Sequence, residues 1–353
     1  MRYYLIFILI NLGCGNLVYS QTTLSGKIVS ASDSEPLSGV AIYLSGTSFG
    51  SISGLDGTFK LDYPENINAP LVFRMMGYEK IIVDDPLNTD YSLVKLVEKP
   101  DELAAVYIAN DDWSRAKKER YFKKYFLGRT PAALDCQIKN LEKIRLQFNP
   151  ATHTLTASSS EPVEVINKLL GYKILCDIDN FEILFEPLDL SRLSIIGGDF
   201  EKPTHRPIQS YMQISTYFNE LPDKRPSKRR RARNRKRLFK VSEMKFYRSL
   251  ISETLKDDGY HLLYDRKVVS IEDHLRVRKV LDKYEISFRQ PEYIMTDRQG
   301  NQSFFKLSEQ QKIIVDSYGN CLSPRSILWG GFLGKLHVSG MLPLDYDHTP
   351  EEQ

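Results

Sequence analysis

A chain of 353 residues is long enough for two or three domains, each with its own core. Apolar residues at 42%, charged residues at 26% and aromatics at 11% exclude a disordered or collagen-like chain. The formal charge of +3 does not describe a basic protein: residues 224–237 hold 10 of the 48 bases and no acid, and the remainder sets 38 bases against 45 acids.

The first twenty residues have the three-part layout of a secretory signal peptide. Met1-Arg2 supplies a positive end, residues 3–12 form a short apolar stretch, and Val18-Tyr19-Ser20 precedes a cut before Gln21. The apolar stretch is too short to span a bilayer, and Asn11, Gly13 and Gly15 weaken it further. A lipidated Cys14 and an uncleaved anchor are the rival readings, and all three predict export to the periplasm or an outer-membrane-associated position. Cys136, Cys176 and Cys321 then remain, enough for one disulfide at most. Their spacing contains no Cys-x-x-Cys and so gives no zinc motif.

From Thr22 to about residue 108, short alternating segments are separated by turn residues about every ten positions, the pattern of an all-β sandwich. Leu24, Gly26 and Ile28 open it, and Pro36-Leu37-Ser38-Gly39 turns the chain. Val40, Ile42 and Leu44 share the next face. Asp56-Gly57 reads as a hairpin signal, followed by alternating Phe59, Leu61 and Tyr63. Residues 71–73 and 81–83 flank Gly77-Tyr78, and residues 93–97 close the set.

Those residues carry a resemblance. Gly26-x-Ile28, Pro36-Leu37-x-Gly39-Val40-x-Ile42, Gly46-Thr47-x-x-Gly50, Gly57-x-Phe59-x-Leu61 and Leu71-x-Phe73-x-x-x-Gly77-Tyr78 together resemble the carboxypeptidase-like regulatory domain. The resemblance implies a transthyretin-like sandwich of seven or eight strands, found at the start of many bacterial envelope proteins. Two departures stand out: Gly54 where the family has Asp, and Arg74-Met75-Met76 in place of a Ser-aromatic-aliphatic step. Where the module opens a TonB-dependent receptor, a plug and a long barrel follow. About 245 residues remain here, too few for both.

Residues 109–345 read as an α+β domain, mainly antiparallel β, with one central amphipathic helix, and 346–353 as a tail. Asp111-Asp112 is placed to cap a helix from Trp113 to Gly128. Ile144, Leu146 and Phe148 face Leu155 and Ala157 across Asn149-Pro150. Residues 163–166, 172–176 and 181–185 read as separate strands. Val241, Met244, Tyr247, Leu250, Ile251 and Leu255 have helical spacing, with a stop at Gly259. Residues 260–264, 285–289, 304–307 and 312–316 read as further strands. Residues 167–174, the central helix and Leu342-Pro343-Leu344-Asp345-Tyr346 resemble envelope proteins that pair such a region with the same sandwich, although Phe246-Tyr247-Arg248-Ser249-Leu250 departs from the pattern.

The loudest local signal is the basic run at 224–237, read as a loop feeding the helix because of Leu221-Pro222 and Pro226. Two readings stand for Lys228, Arg229, Arg230, Arg231, Arg233, Arg235, Lys236 and Arg237: a solvated surface, or a contact with an anionic membrane surface or lipopolysaccharide phosphates. Export argues against nucleic acid as the partner. No catalytic, cofactor-binding or metal-ligating set is assigned. His348-x-x-Glu351 has Pro350 inside it and no later His, so it does not make a carboxypeptidase zinc site. No Gly-x-Ser-x-Gly occurs, and Gly197-Gly198 and Gly330-Gly331 lack a phosphate-binding frame. The carboxylate pairs Asp177/Asp179 and Glu182/Glu186 are expected at strand edges and solvent faces. The chain is thus expected to be a non-catalytic envelope protein that binds another envelope protein, a glycan or a surface. A periplasmic hydrolase of glycans or peptides, with the sandwich as accessory module, is the alternative.

Overall fold

The computed structural model describes residues 22–64, 67–99, 111, 113–188, 204–222 and 226–346. The signal segment with Cys14, Asp112, Gly197-Gly198, Lys224, Arg225, His348 and Glu351 lie outside the described residues.

Seven strands make the N-terminal sandwich: β1 (Thr22–Ser30), β2 (Ala41–Leu44), β3 (Gly50–Ile52), β4 (Thr58–Tyr63), β5 (Leu71–Arg74), β6 (Ile81–Val83) and β7 (Val94–Leu96). One sheet runs β4-β1-β7 and the other β3-β2-β5-β6. The strict alternation of β4 turns Phe59, Leu61 and Tyr63 inward, where they meet Ile42, Leu44 and Phe73 of the facing sheet. Phe59 and Phe73 pack edge to face at 5.5 Å, an arrangement aromatic quadrupoles favour. Gly57 does take a positive φ, +77°. The strands on either side of it belong to different sheets, so the Asp56-Gly57 turn carries the chain between layers and closes no hairpin.

Behind the sandwich come α1 (Arg115–Phe126), β8 (Cys136–Ile138), β9 (Arg145–Asn149), β10 (Thr154–Ser158), β11 (Val163–Asn167), β12 (Tyr172–Pro187) and β13 (His205–Glu220). The cap of α1 is Ser114, whose hydroxyl accepts from the Lys117 amide at 3.2 Å. Asp111 instead accepts from the amides of Trp113 and Phe148 and from Lys118. The segments read as two strands, 172–176 and 181–185, are one, with a bulge between Ile178 and Asn180. Its partner β13 went unread, because Pro207 and a polar run hide the alternation. Phe122, Phe126, Phe148, Phe181, Ile183 and Phe218 fill this core.

The remaining elements are α2 (Lys228–Phe239), α3 (Glu243–Ile251), β14 (His261–Tyr264), β15 (Lys267–Val268), α4 (Ile271–His274), β16 (Leu275–Val280), β17 (Lys283–Phe288), β18 (Glu292–Thr296), β19 (Gln302–Leu307), β20 (Lys312–Asp316) and β21 (Ile327–Gly331). Sheets β15-β14-β18-β19-β21 and β16-β17-β20 enclose a separate core with Phe246, Tyr247 and Leu250 of α3. The helix expected from Val241 onward is shorter, capped by Ser242 and ending at Ile251. The basic run is no loop: residues 228–239 are α2. Beyond the sandwich, the chain is therefore α+β and mainly antiparallel, built on two hydrophobic clusters. No described helix is long and apolar enough to cross a membrane.

Candidate anionic-surface site

The basic run becomes a helix against its own electrostatics. Its first turn holds three cations and no acid, where the helix dipole favours negative charge. Contacts along one side hold it. Arg231 is buried, 5% exposed, and donates to the carbonyls of Leu221 at 2.8 Å and Pro222 at 3.0 Å. Arg235 donates to Leu170 O at 2.7 Å and to Glu220 at 2.5 Å, and its guanidinium lies 3.9 Å from the Tyr172 ring centroid. Asn234 donates to Leu169 O at 3.0 Å. These side chains gather the carbonyls left over where β11 turns into β12 and where β13 ends. Gly171 permits the approach: its φ is +74°, and a Cβ there would stand 2.3 Å from Arg231 Cδ.

Two of the eight expected surface contacts, Arg231 and Arg235, are thus fasteners. Their spacing with Asn234 and Leu238 is that of one helix face. In a run that is almost wholly cationic, hydropathy cannot separate the held face from the free one. Opposite lie Arg229, Arg230, Arg233, Lys236 and Arg237, all exposed. None of these five has an ion-pair partner among the described residues. Lys228 is exposed too, but engaged. At about 1.5 Å per residue the arc from Arg229 to Arg237 extends about 12 Å along the helix. Such an array attracts multivalent anions and weakens as salt shortens the screening length.

Most of the other candidate chemistry is tied up in structure. Asp177 is not at a solvent face, whereas Asp179 is exposed. Asp177 is buried and accepts from the Tyr43 hydroxyl at 2.7 Å and Arg74 Nε at 3.0 Å. Asp179 pairs with Lys80 and accepts from Ser215. Cys136, Cys176 and Cys321 are free thiols. Burial pushes Cys136 up to about 12 and Cys321 up to about 11, the opposite of what a nucleophilic thiolate needs. No three His, Cys, Asp or Glu side chains converge on a metal position among the described residues.

The sandwich places two sheets face to face with the family's glycines in its turns. The family profile of the CarboxypepD_reg-like domain matches residues 24–107. Residues 24–107 are a CarboxypepD_reg-like domain. No curated protein matches the chain. This domain docks on the outer face of β12 and β13 through its own departures from the family pattern: Arg74 reaches Asp177 and the Ser160 carbonyl. Elsewhere Tyr43 stacks on Tyr217 at 5.2 Å. Ser48 of the CarboxypepD_reg-like domain binds both carboxylate oxygens of Asp345, and Leu344 N donates to Gly46 O at 2.8 Å. Arg248 in turn donates to the carbonyls of Tyr318, Leu344 and Tyr346. The Leu342–Tyr346 segment therefore ties the domain to α3.

Proposed function

We propose that this chain is a non-catalytic binding protein of the cell envelope, exported by its first twenty residues, that docks on a phosphate-bearing anionic surface through α2. The observation that carries this reading is the arc of five exposed cations, with no ion-pair partner among the described residues, on a helix whose other side is fixed by Arg231 and Arg235. The side chains of the arc include no aromatic or aliphatic group to insert between acyl chains, so attachment is electrostatic and reversible. The CarboxypepD_reg-like domain is an accessory held by Asp177 and Asp345.

Vesicle flotation tests the reading. Anionic vesicles should carry the protein upward at low salt and release it at high salt, and the triple variant Arg229→Glu, Arg233→Glu, Arg237→Glu should stay at the bottom. Equal recovery from neutral and anionic vesicles would discard it.

A further inference from the structure

Away from α2, the outer face of the β9-β10-β12-β13 end of the sheet carries a surface of different chemistry. Side chains there form two cross-strand rows, Gln147–Thr156–Glu182–Tyr211 and Thr154–Leu184–Gln209. Their sequence neighbours Phe148, Leu155, Phe181 and Ile183 point into the core, so the rows point outward. A depression of about 120 Å³ lies between Thr154, Glu182, Leu184, Gln209 and Tyr211. The side chains of Gln147, Glu182 and Gln209 have no hydrogen-bond or ion-pair partner among the described residues. The Tyr211 ring is held in place: its hydroxyl donates to Gln213 Oε1 at 3.0 Å and accepts from Arg325 Nε at 3.2 Å.

We propose that this shelf binds a neutral oligosaccharide. Two planar amides and a carboxylate, all without partners, offer the paired donors and acceptors that adjacent sugar hydroxyls require. Strands about 4.8 Å apart set these groups out in steps along an extended chain. Leu184, 37% exposed, and the Tyr211 ring supply apolar surface for the C–H face of a pyranose, in the usual mix of apolar wall and few polar contacts. Charge selects the class. Glu182 repels acidic polymers, and Arg325, the cation beside the Tyr211 ring, is already engaged with the Tyr211 hydroxyl and lies 5.8 Å from its ring centroid. The shelf and the cationic arc on α2 therefore call for different partners.

Isothermal titration of the full chain with maltohexaose, cellohexaose and chitohexaose tests this. At least one should bind, and Glu182→Ala with Gln209→Ala should weaken that sugar about tenfold or more. Glu182→Gln, which keeps a hydrogen-bonding plane, should retain it. Circular dichroism should be unchanged in both variants, since both positions are exposed. Absence of binding by all three sugars, or equal affinity in the double variant, overturns the proposal. The double variant should still float with anionic vesicles, so failure of the shelf and failure of α2 are read separately.

Discussion

The outer face of β12 and β13 is two surfaces on one pair of strands. Toward the start of β12 it bears Asp177, Ser215 and Tyr217 and is covered by the CarboxypepD_reg-like domain. Past the bulge at Ile178 it bears Glu182, Tyr211 and Gln209 and lies open. Both halves hold a carboxylate and a tyrosine, so residue type does not separate them. The difference is that Asp177 and Ser215, under the domain, are engaged in hydrogen bonds and an ion pair, whereas the side chains of Glu182 and Gln209, beyond the bulge, have no partner among the described residues. The same contrast recurs on α2, where Arg231 is enclosed by carbonyls and Arg233 is not. In this protein a charged side chain acts as a fastener where something covers it and is left open to solvent where nothing does.

The covered half should be the more fragile. Asp177→Ala leaves the Arg74 guanidinium, with its side chain only 11% exposed, enclosed without its counter-charge. Breaking a buried pair in this way costs about 3–5 kcal/mol. Chemical denaturation should show the loss, and Glu182→Ala, measured alongside, should move stability by less than about 0.5 kcal/mol. Equal effects would erase the distinction between the halves.

A second covered contact is sensitive to pH. Asp316, at the end of β20, is fully buried and accepts from the amides of Asn68, Tyr318 and Asn320. Burial outweighs these bonds and the nearby Arg248, and raises its carboxyl from an ordinary 3.8 to about 6. The folded state then holds this proton more tightly than the unfolded chain does. Its contribution is complete below about pH 4 and is lost as pH rises through about 6. Two pH units correspond to about 3 kcal/mol. Asp316→Asn should flatten that part of the stability profile, measured by denaturation at pH 4, 5, 6 and 7. A slope unchanged in the variant would assign it elsewhere.

The sandwich was legible because its alternation and turn glycines are local signals: Phe59, Leu61 and Tyr63 fall where period two puts them. Its Asp56-Gly57 turn was legible as a turn but not as a passage between sheets, since strand pairing is a long-range property. Strand β13 was hidden for a related reason. The outward residues Gln209, Tyr211 and Gln213 are polar or amphipathic, and Pro207 sits at a register shift, so neither propensity nor period marks the strand. On α2 the sequence showed the charge and concealed the division of labour. Arg231 and Arg235 are told from Arg229 and Arg233 only by the carbonyls of Leu170, Leu221 and Pro222, which lie elsewhere in the chain.

Substitutions around α2 sharpen that division with smaller effects. Gly171→Ala forces a positive φ on a Cβ-bearing residue and drives the new methyl into the Arg231 stem; about 1–3 kcal/mol should be lost, and the thermal midpoint should fall. Arg233→Glu sits on the open arc, and its neighbours Arg229 and Arg237, four residues away on each side, would gain an opposite charge at pairing distance. Stability should therefore stay within about 0.5 kcal/mol of the parent or rise slightly. Recovery with anionic vesicles should fall all the same, because one reversal removes two units of charge from a surface of five cations. If thermal melting showed instead that Arg233→Glu destabilised the fold as much as Gly171→Ala, Arg233 would have to be engaged in a contact of its own, and the open arc would shrink to four.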